Sequence, residues 1–182
     1  MNRRILLNAK QIEVISQRLC CQLMELHGNF KNTAIIGLQP RGVFFARRIH
    51  RIIAEMTRNT QVKYGDLDTT FYRDDFRRGN EIHEPKLLNI DFNIEDLNII
   101  LVDDVLYTGR SVRAALDALN DFGRPAKVEL MTLIDRRFNR ELPIQPDYVG
   151  FEVDTRANEK VKVEWNDEEG NKIWILENNS LT

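Results

Sequence analysis

The thirteen residues from 99 to 111 combine side chains that seldom follow one another in a purely structural turn. Apolar Ile99–Val102 is followed at once by Asp103 and Asp104, and the run ends with Val105, Leu106, Tyr107, Thr108, Gly109, Arg110 and Ser111. A helix that begins here would offer backbone N–H groups and two hydroxyls to an anion, and its glycine would let the backbone approach that anion closely. The run therefore predicts a phosphate cradle after a buried strand.

The acidic pair needs a different ligand, because carboxylates repel a phosphate. Asp103 and Asp104 must face hydroxyl groups or a metal ion instead. A ribose 5-phosphate meets both demands, with its phosphate in the cradle and its 2′- and 3′-hydroxyls on the carboxylates. The competing interpretation is that the acids only solubilise a strand end and that Thr108 caps a helix. That interpretation suits an isolated acidic pair better than it suits the whole run.

Strand and helix patterns alternate around this run. Strands are predicted at 33–38, 61–71, 98–103 and 127–134, and helices at 8–27, 42–57 and 109–122. Asn8 and Gln11 have the spacing of a capping box at the start of the first helix. The alternation predicts an α/β fold, with a parallel β-sheet flanked by helices and ligands bound at the carboxyl ends of its strands.

Two segments break the alternation. Residues 72–90 are rich in charge, include Gly79 and Pro85, and lack a clear period. Residues 135–182 contain short strand-like pieces at 148–153, 160–165 and 172–176, with a hairpin turn expected at 167–170. We expect this second segment to form a small antiparallel cap and not a second domain.

Bulk properties exclude several classes of protein. The chain has 182 residues, of which 42% are hydrophobic and 30% charged, as in a single globular domain. Its net charge of −2 gives no general attraction to nucleic acid, so any RNA site must be a local basic patch. No apolar run has membrane-spanning length and the N-terminus soon becomes polar, which predicts a cytoplasmic protein without membrane contact.

Residues 99–111 resemble the PRPP-binding signature of the type I phosphoribosyltransferases. Further segments at 72–75, 104–115, 123–125 and 140–144 are similar to the members of this family that regulate pyrimidine operons and also act as uracil phosphoribosyltransferases. The similarity extends from about Ile12 to Glu177. It implies the type I phosphoribosyltransferase fold over a single domain, 1–182, with a core at about 8–134, a flexible loop at about 72–90 and a small antiparallel hood at about 135–165.

The resemblance also implies roles for individual residues. Asp103 and Asp104 would hold the ribose and orient Mg²⁺ through its hydroxyls or water, and Arg41 and Arg73 would neutralise the departing pyrophosphate. Further substrate contacts are implied for the loop 105–111 and for Gln39, Pro40, Gly42, Tyr72, Asp74, Asp135 and Arg136. Residue types alone favour a plain turn with a solvated arginine around Arg41, and the resemblance favours the site.

The implied reaction converts uracil and PRPP to UMP and pyrophosphate, with Mg²⁺ bound alongside PRPP. Three alternatives stay open: a catalytically weak RNA-binding regulator of pyrimidine genes, a phosphoribosyltransferase for another base such as a purine, and a non-catalytic sensor of PRPP or nucleotide. The residue types of 99–111 do not distinguish PRPP from a nucleotide as the ligand, because both carry the same sugar and phosphate.

Two interactions with macromolecules are implied as well. A UMP-responsive contact with pyrimidine leader mRNA would need basic residues, yet Arg18 is the only one between 11 and 26. The predicted hood offers more of them, at Arg136, Arg137, Arg140, Arg156, Lys160 and Lys162. A homo-oligomer is also expected, with Phe44 and Phe45 either on a dimer face or in the core.

Overall fold

The computed structural model describes residues 2–59, 61–69, 72, 90–156, 158–166 and 170–177. Eight strands and three helices lie within these ranges. In chain order they are β1 (Asn2–Leu7), α1 (Ala9–His27), β2 (Thr33–Leu38), α2 (Gly42–Thr57), β3 (Lys63–Leu67), β4 (Asn98–Leu106), α3 (Arg110–Asn120), β5 (Lys127–Arg137), β6 (Tyr148–Asp154), β7 (Glu159–Glu164) and β8 (Lys172–Glu177).

Five strands form the main sheet in the order β3-β2-β4-β5-β6, and every neighbouring pair is parallel. The predicted α/β fold with a parallel sheet is therefore confirmed. At the start of α1, the Asn8 side chain accepts from the Gln11 N–H and the Gln11 side chain accepts from the Asn8 N–H, so the capping box is confirmed too. Strand β3 is shorter than predicted, since it ends at Leu67.

The place of β6 corrects one expectation. Tyr148–Asp154 pairs parallel with β5, from Met131↔Tyr148 to Arg137↔Asp154, and so extends the main sheet. The expectation that this strand belongs to an antiparallel cap is wrong. Because β6 lies at the edge of the sheet and buries few of its residues, its sequence looks like that of a half-exposed hairpin strand.

A second, three-stranded antiparallel sheet has the order β1-β8-β7, and we call it the hood sheet. The predicted small antiparallel layer is thus present, and β7 and β8 contribute to it as expected. Strand β1 has no counterpart among the sequence predictions. Its partner β8 lies at the other end of the chain, so no local pattern signals the pairing. Most of the expected hairpin turn at 167–170 lies outside the described residues.

The apolar core is divided between the two faces of the main sheet. On one face, α1 and α2 pack on β2, β4 and β5 together with hood residues such as Val163 and Ile175. On the other face, α3 packs on Ile99 and Leu101 of β4. Phe45 is fully buried, whereas Phe44 is 49% exposed, so only Phe44 is available to a partner.

Among the described residues, no helix is both long enough and apolar enough to cross a membrane.

Candidate active site

The acidic pair lies near the carboxyl end of β4, the central strand of the main sheet. The strand continues to Leu106, three residues beyond its predicted end, because Val105 and Leu106 keep pairing with Ile134 and Asp135 of β5. Asp104 is buried and Asp103 is partly buried. The Asp103 carboxylate accepts a hydrogen bond from the Asp104 N–H at 2.9 Å. Both carboxylates are therefore held at the sheet edge where parallel folds bind ligands.

Arg41 connects three parts of the molecule at this edge. It precedes α2, its Nε atom lies 3.3 Å from Asp104 Oδ2, and its Nη2 atom donates to the Val163 carbonyl of the hood sheet at 2.8 Å. The neighbouring Gly42 lies so close to β4 that an added Cβ would be 2.6 Å from the Val102 carbonyl oxygen. The turn at 39–42 and the acidic pair are thus brought together at this edge of the sheet.

Electrostatics make the acidic pair unusual. Burial and the negative charge of Asp104 raise the pKa of Asp103, and burial raises the pKa of Asp104 while Arg41 opposes that rise. Among the described residues, Asp104 Oδ2 has no hydrogen-bond partner, although Arg41 Nε is nearby. The pair can therefore accept further positive charge or hydrogen bonds from a ligand.

The predicted phosphate cradle comes directly after the acidic pair in the chain. Gly109 adopts the left-handed conformation, with φ at 91°, and turns the chain from β4 into α3. Gly109 has no side chain with which to cap α3, and the Arg110 N–H makes one long hydrogen bond, 3.4 Å, to Thr108 Oγ1. The N-terminal turn of a helix carries N–H groups without carbonyl partners inside the helix, which suits an anion at this end of α3. Ser111 lies in that first turn.

Asp135 and Arg136 end up beside the cradle, because Asp135 pairs with Leu106 across the sheet. The Arg136 guanidinium lies over the Tyr107 ring, 4.0 Å from its centroid, and donates to Thr155 Oγ1 and the Glu159 carbonyl. Burial lowers the pKa of Arg136. This arginine is a fixed, buried link between the cradle and the hood sheet.

One predicted residue, Tyr72, is not brought to this site. The Tyr72 hydroxyl donates to Asp121 at the C-terminal end of α3, whereas the cradle lies at the N-terminal end of that helix. Arg73 and Asp74 lie outside the described residues.

Sequence reasoning missed the part that backbone groups and distant residues play. The Val163 carbonyl accepts from Arg41, and the Glu159 carbonyl accepts from Arg136. Such contacts cannot be predicted from residue types, because every residue has a backbone carbonyl. Arg140 and Glu141 contact residues 107–110, whereas the sequence predicts for them only a place in the 140–144 motif and, for Arg140, a basic residue available to RNA. The run of charged and apolar residues at 140–144 is the one signal from which a role could have been inferred.

Comparisons with known proteins agree with this architecture. Residues 3–168 match the family described as the phosphoribosyl transferase domain. A bifunctional protein PyrR from Desulfosudis oleivorans is 46% identical over 174 residues, which cover 96% of each chain. One from Listeria monocytogenes is 43% identical over 164 residues, or 88% of each chain.

Solved structures show the same fold at low sequence identity. The hypoxanthine phosphoribosyltransferase of Trypanosoma cruzi superposes with a TM-score of 0.70 at 16% identity, covering 96% of each chain. The enzyme from Leishmania tarentolae, a complex with GMP, gives a TM-score of 0.69 at 14% identity over 95% of each chain. The chain therefore belongs to the phosphoribosyltransferase family, in the group of relatives that carry the name bifunctional protein PyrR.

Proposed function

We propose that the chain transfers the 5-phosphoribosyl group of PRPP to N1 of uracil, forming UMP and releasing pyrophosphate. The observation that carries this proposal is the contact between Arg41 and Asp104, because it joins a cation for pyrophosphate to carboxylates for ribose beside a phosphate cradle. Uracil as the base rests on the resemblance and on the relatives named PyrR, which match almost the whole chain.

In this reaction the bond between ribose C1 and the pyrophosphate oxygen breaks, the bond from uracil N1 to C1 forms with inversion, and N1 loses its proton. The transition state resembles an oxocarbenium ion, so the protein contributes by positioning and by charge stabilisation and needs no nucleophile. Asp103 and Asp104 hold the ribose hydroxyls. Arg41 stabilises the negative charge that develops on the leaving pyrophosphate, a role that Arg73 shares in this proposal.

The acidic pair also suits Mg²⁺, which prefers oxygen ligands and keeps several of its waters. Among the described residues, no group of three or more acids, histidines or cysteines could hold a metal alone, so the pair would share the ion with PRPP and water. Asp104 Oδ2 lacks a hydrogen-bond partner among the described residues and the pKa of both carboxyls is raised, and such a cation would relieve both conditions. When bound, Mg²⁺ would offset charge on the pyrophosphate.

The test is a panel of free bases, each incubated with protein, PRPP and Mg²⁺, with nucleotide and pyrophosphate measured by chromatography. We expect UMP from uracil and little product from purines. Asp104→Asn should lower kcat by about a hundredfold or more, because it removes charge from the transition state. Asp117→Asn, an exposed change on α3, should not.

Other outcomes of the panel decide among the alternatives. A purine nucleotide as the main product would replace uracil with another base. PRPP binding without any product would favour the sensor. Unaltered UMP formation by Asp104→Asn would contradict the ribose assignment.

We propose UMP-dependent binding of pyrimidine leader mRNA as a second function, supported by the word bifunctional in the relatives' name. Two of the basic candidates, Arg18 and Arg137, already have partners within the protein. Arg18 donates to the Val149 and Gly150 carbonyls, and Arg137 donates twice to Asp154. Exposed Arg156 and Lys160 are the better candidates for phosphate contacts.

A filter-binding titration against leader RNA, with and without UMP, tests this second function. We expect binding that UMP strengthens, that salt weakens steeply, and that Lys160→Ala reduces at every RNA sequence tested. RNA binding that changes with neither UMP nor salt would exclude regulation of this kind. The chain would then act only as an enzyme.

We further propose that the chain acts in the cytoplasm as a homo-oligomer. Half-exposed Phe44 stacks on Trp165 and offers the apolar surface that a second copy would cover. Light scattering of the wild type and of Phe44→Asp tests this proposal. If Phe44→Asp forms the same oligomer as the wild type, Phe44 does not lie in the interface.

A further inference from the structure

Residues 140–144, which we call the brace, lie against the turn that forms the phosphate cradle. The N–H groups of Glu141 and Leu142 both donate to the Thr108 carbonyl, at 3.0 and 3.2 Å. Ile144 packs on Gly109, where its Cδ1 atom would be 3.3 Å from an added Cβ. The brace therefore contacts consecutive residues of the cradle, and Glu141 also accepts from Arg110 at the start of α3.

Arg140 makes the most buried contacts of the brace. Its Nη1 atom donates to the Tyr107 carbonyl, and its Nη2 atom donates to the Asp135 carboxylate. The Arg140 side chain is only 20% exposed and that of Asp135 only 10% exposed. The charged hydrogen bond from Arg140 to Asp135 has little access to water and is stronger than its surface counterparts. Arg140 thus fixes the cradle to the end of β5.

These contacts dictate where the cradle's own donors point. In a trans peptide unit, the C=O of one residue and the N–H of the next point in opposite directions. The Tyr107 and Thr108 carbonyls are both bound to the brace. The N–H groups of Thr108 and Gly109 must therefore point away from the brace, into the turn where a phosphate would lie.

We propose that Arg140 is a positioning residue that aims the Thr108 and Gly109 N–H groups at the 5-phosphate of PRPP. It touches no reacting atom in this role. It keeps the peptide planes of the cradle from rotating, so that the donors are in place before the ligand arrives. The inference rests on the proposed function, because PRPP is the ligand whose phosphate the cradle would hold.

Two variants of Arg140 and one matched control test the proposal. Arg140→Gln removes the charge, and Arg140→Lys keeps the charge but cannot hold both acceptors in a fixed fork. Arg48→Gln is the control, because Arg48 is similarly buried, at 16% exposed, and donates to the Glu13 carboxylate between α1 and α2. It removes a comparable ion pair without touching the cradle.

We expect Arg140→Gln to raise the KM for PRPP by about tenfold, with kcat within about twofold of wild type, because phosphate binding is shared by ground and transition states. The KM for uracil should be unchanged. Arg140→Lys should fall between wild type and Arg140→Gln. Arg48→Gln should lose thermal stability and keep both KM values.

A purely structural role for Arg140 would lower the melting temperature and the active fraction, hence kcat, while the KM for PRPP stays at the wild-type value. That result would overturn the proposal, as would an equal rise in Arg48→Gln. Calorimetric titration with PRPP tests the role of Arg140 separately from the transfer to uracil. If the wild type makes no UMP, uracil transfer is wrong, yet weaker PRPP binding by Arg140→Gln and Arg140→Lys would still support the brace.

Discussion

At the scale of single residues, the site concentrates negative charge where water is scarce. Asp103 and Asp104 are adjacent and at least partly buried, and Arg41, the cation beside them, also donates to the Val163 carbonyl. A protein gains no stability from such a pair, because each carboxylate loses hydration and repels the other. The arrangement makes sense as a site that a ligand completes.

The burial and mutual repulsion of the two carboxylates predict how the stability of the folded protein depends on pH. The pKa of Asp103 is raised by burial and by Asp104, so the folded protein keeps a proton that the unfolded chain has already released. Stability should therefore fall as pH rises from the ordinary Asp value of about 4 toward the raised value of about 8. The contribution of this group is on the order of 2 kcal/mol, after a discount for water around a partly exposed carboxyl.

Denaturant unfolding of ligand-free protein at pH 5 and pH 8 measures the effect. Asp103→Asn should show a smaller loss of stability between these two pH values than the wild type. Asp117→Asn, on the exposed side of α3, serves as the control and should follow the wild type. Equal losses in wild type and Asp103→Asn would mean that the carboxyl is well solvated.

At the scale of elements, the site depends on how closely α2 approaches β4. Helix α2 begins at Gly42, and an added Cβ there would lie 2.6 Å from the Val102 carbonyl oxygen and 2.9 Å from the Asp103 Cα. Both neighbours are backbone atoms of a central strand, which has little freedom to move. Any side chain at this position must therefore push the turn at 39–42 away from the acidic pair.

Gly42→Ala should accordingly separate Arg41 from Asp104. We expect kcat/KM for PRPP to fall by about a hundredfold, as for a misplacement of about 1 Å in a catalytic site. Steady-state kinetics give the measurement. Phe44→Ala, a half-exposed neighbour in the same turn of α2, is the control and should retain the KM for PRPP. Normal kinetics in Gly42→Ala would show that the turn adjusts without affecting the site.

The same elements show what a sequence can reveal. The strand β4, its acidic pair and the start of α3 are consecutive in the chain, so residue types and spacing predicted them together. The parallel sheet followed from the alternation of strands and helices. Strand β1, the parallel pairing of β6 and the contact of Arg140 with the Tyr107 carbonyl depend on partners well separated in the chain. No local pattern encodes those contacts, because they are set by packing.

At the scale of the whole molecule, the hood sheet and the main sheet share one apolar core. Ile173 and Ile175 of β8 are at most 1% exposed, in the same cluster as Ile12 of α1 and Ile100 of β4. Arg41 and Arg136 add hydrogen bonds from the site to the hood backbone. The chain should therefore unfold as one cooperative unit, which is the physical meaning of a single domain.

Ile175→Ala tests this cooperativity. Truncation of this buried side chain should lower the free energy of unfolding by about 2–5 kcal/mol. The protein should still unfold in one transition, with the same midpoint by far-ultraviolet circular dichroism and by the fluorescence of Trp165 and Trp174 near the hood. Ile5→Ala in β1, where the side chain is 53% exposed, should cost far less. An early fluorescence transition that leaves the helical signal intact would instead make the hood a separate unit. PRPP binding would then be lost before the α/β core melts, because Arg41 and Arg136 would lose their anchors.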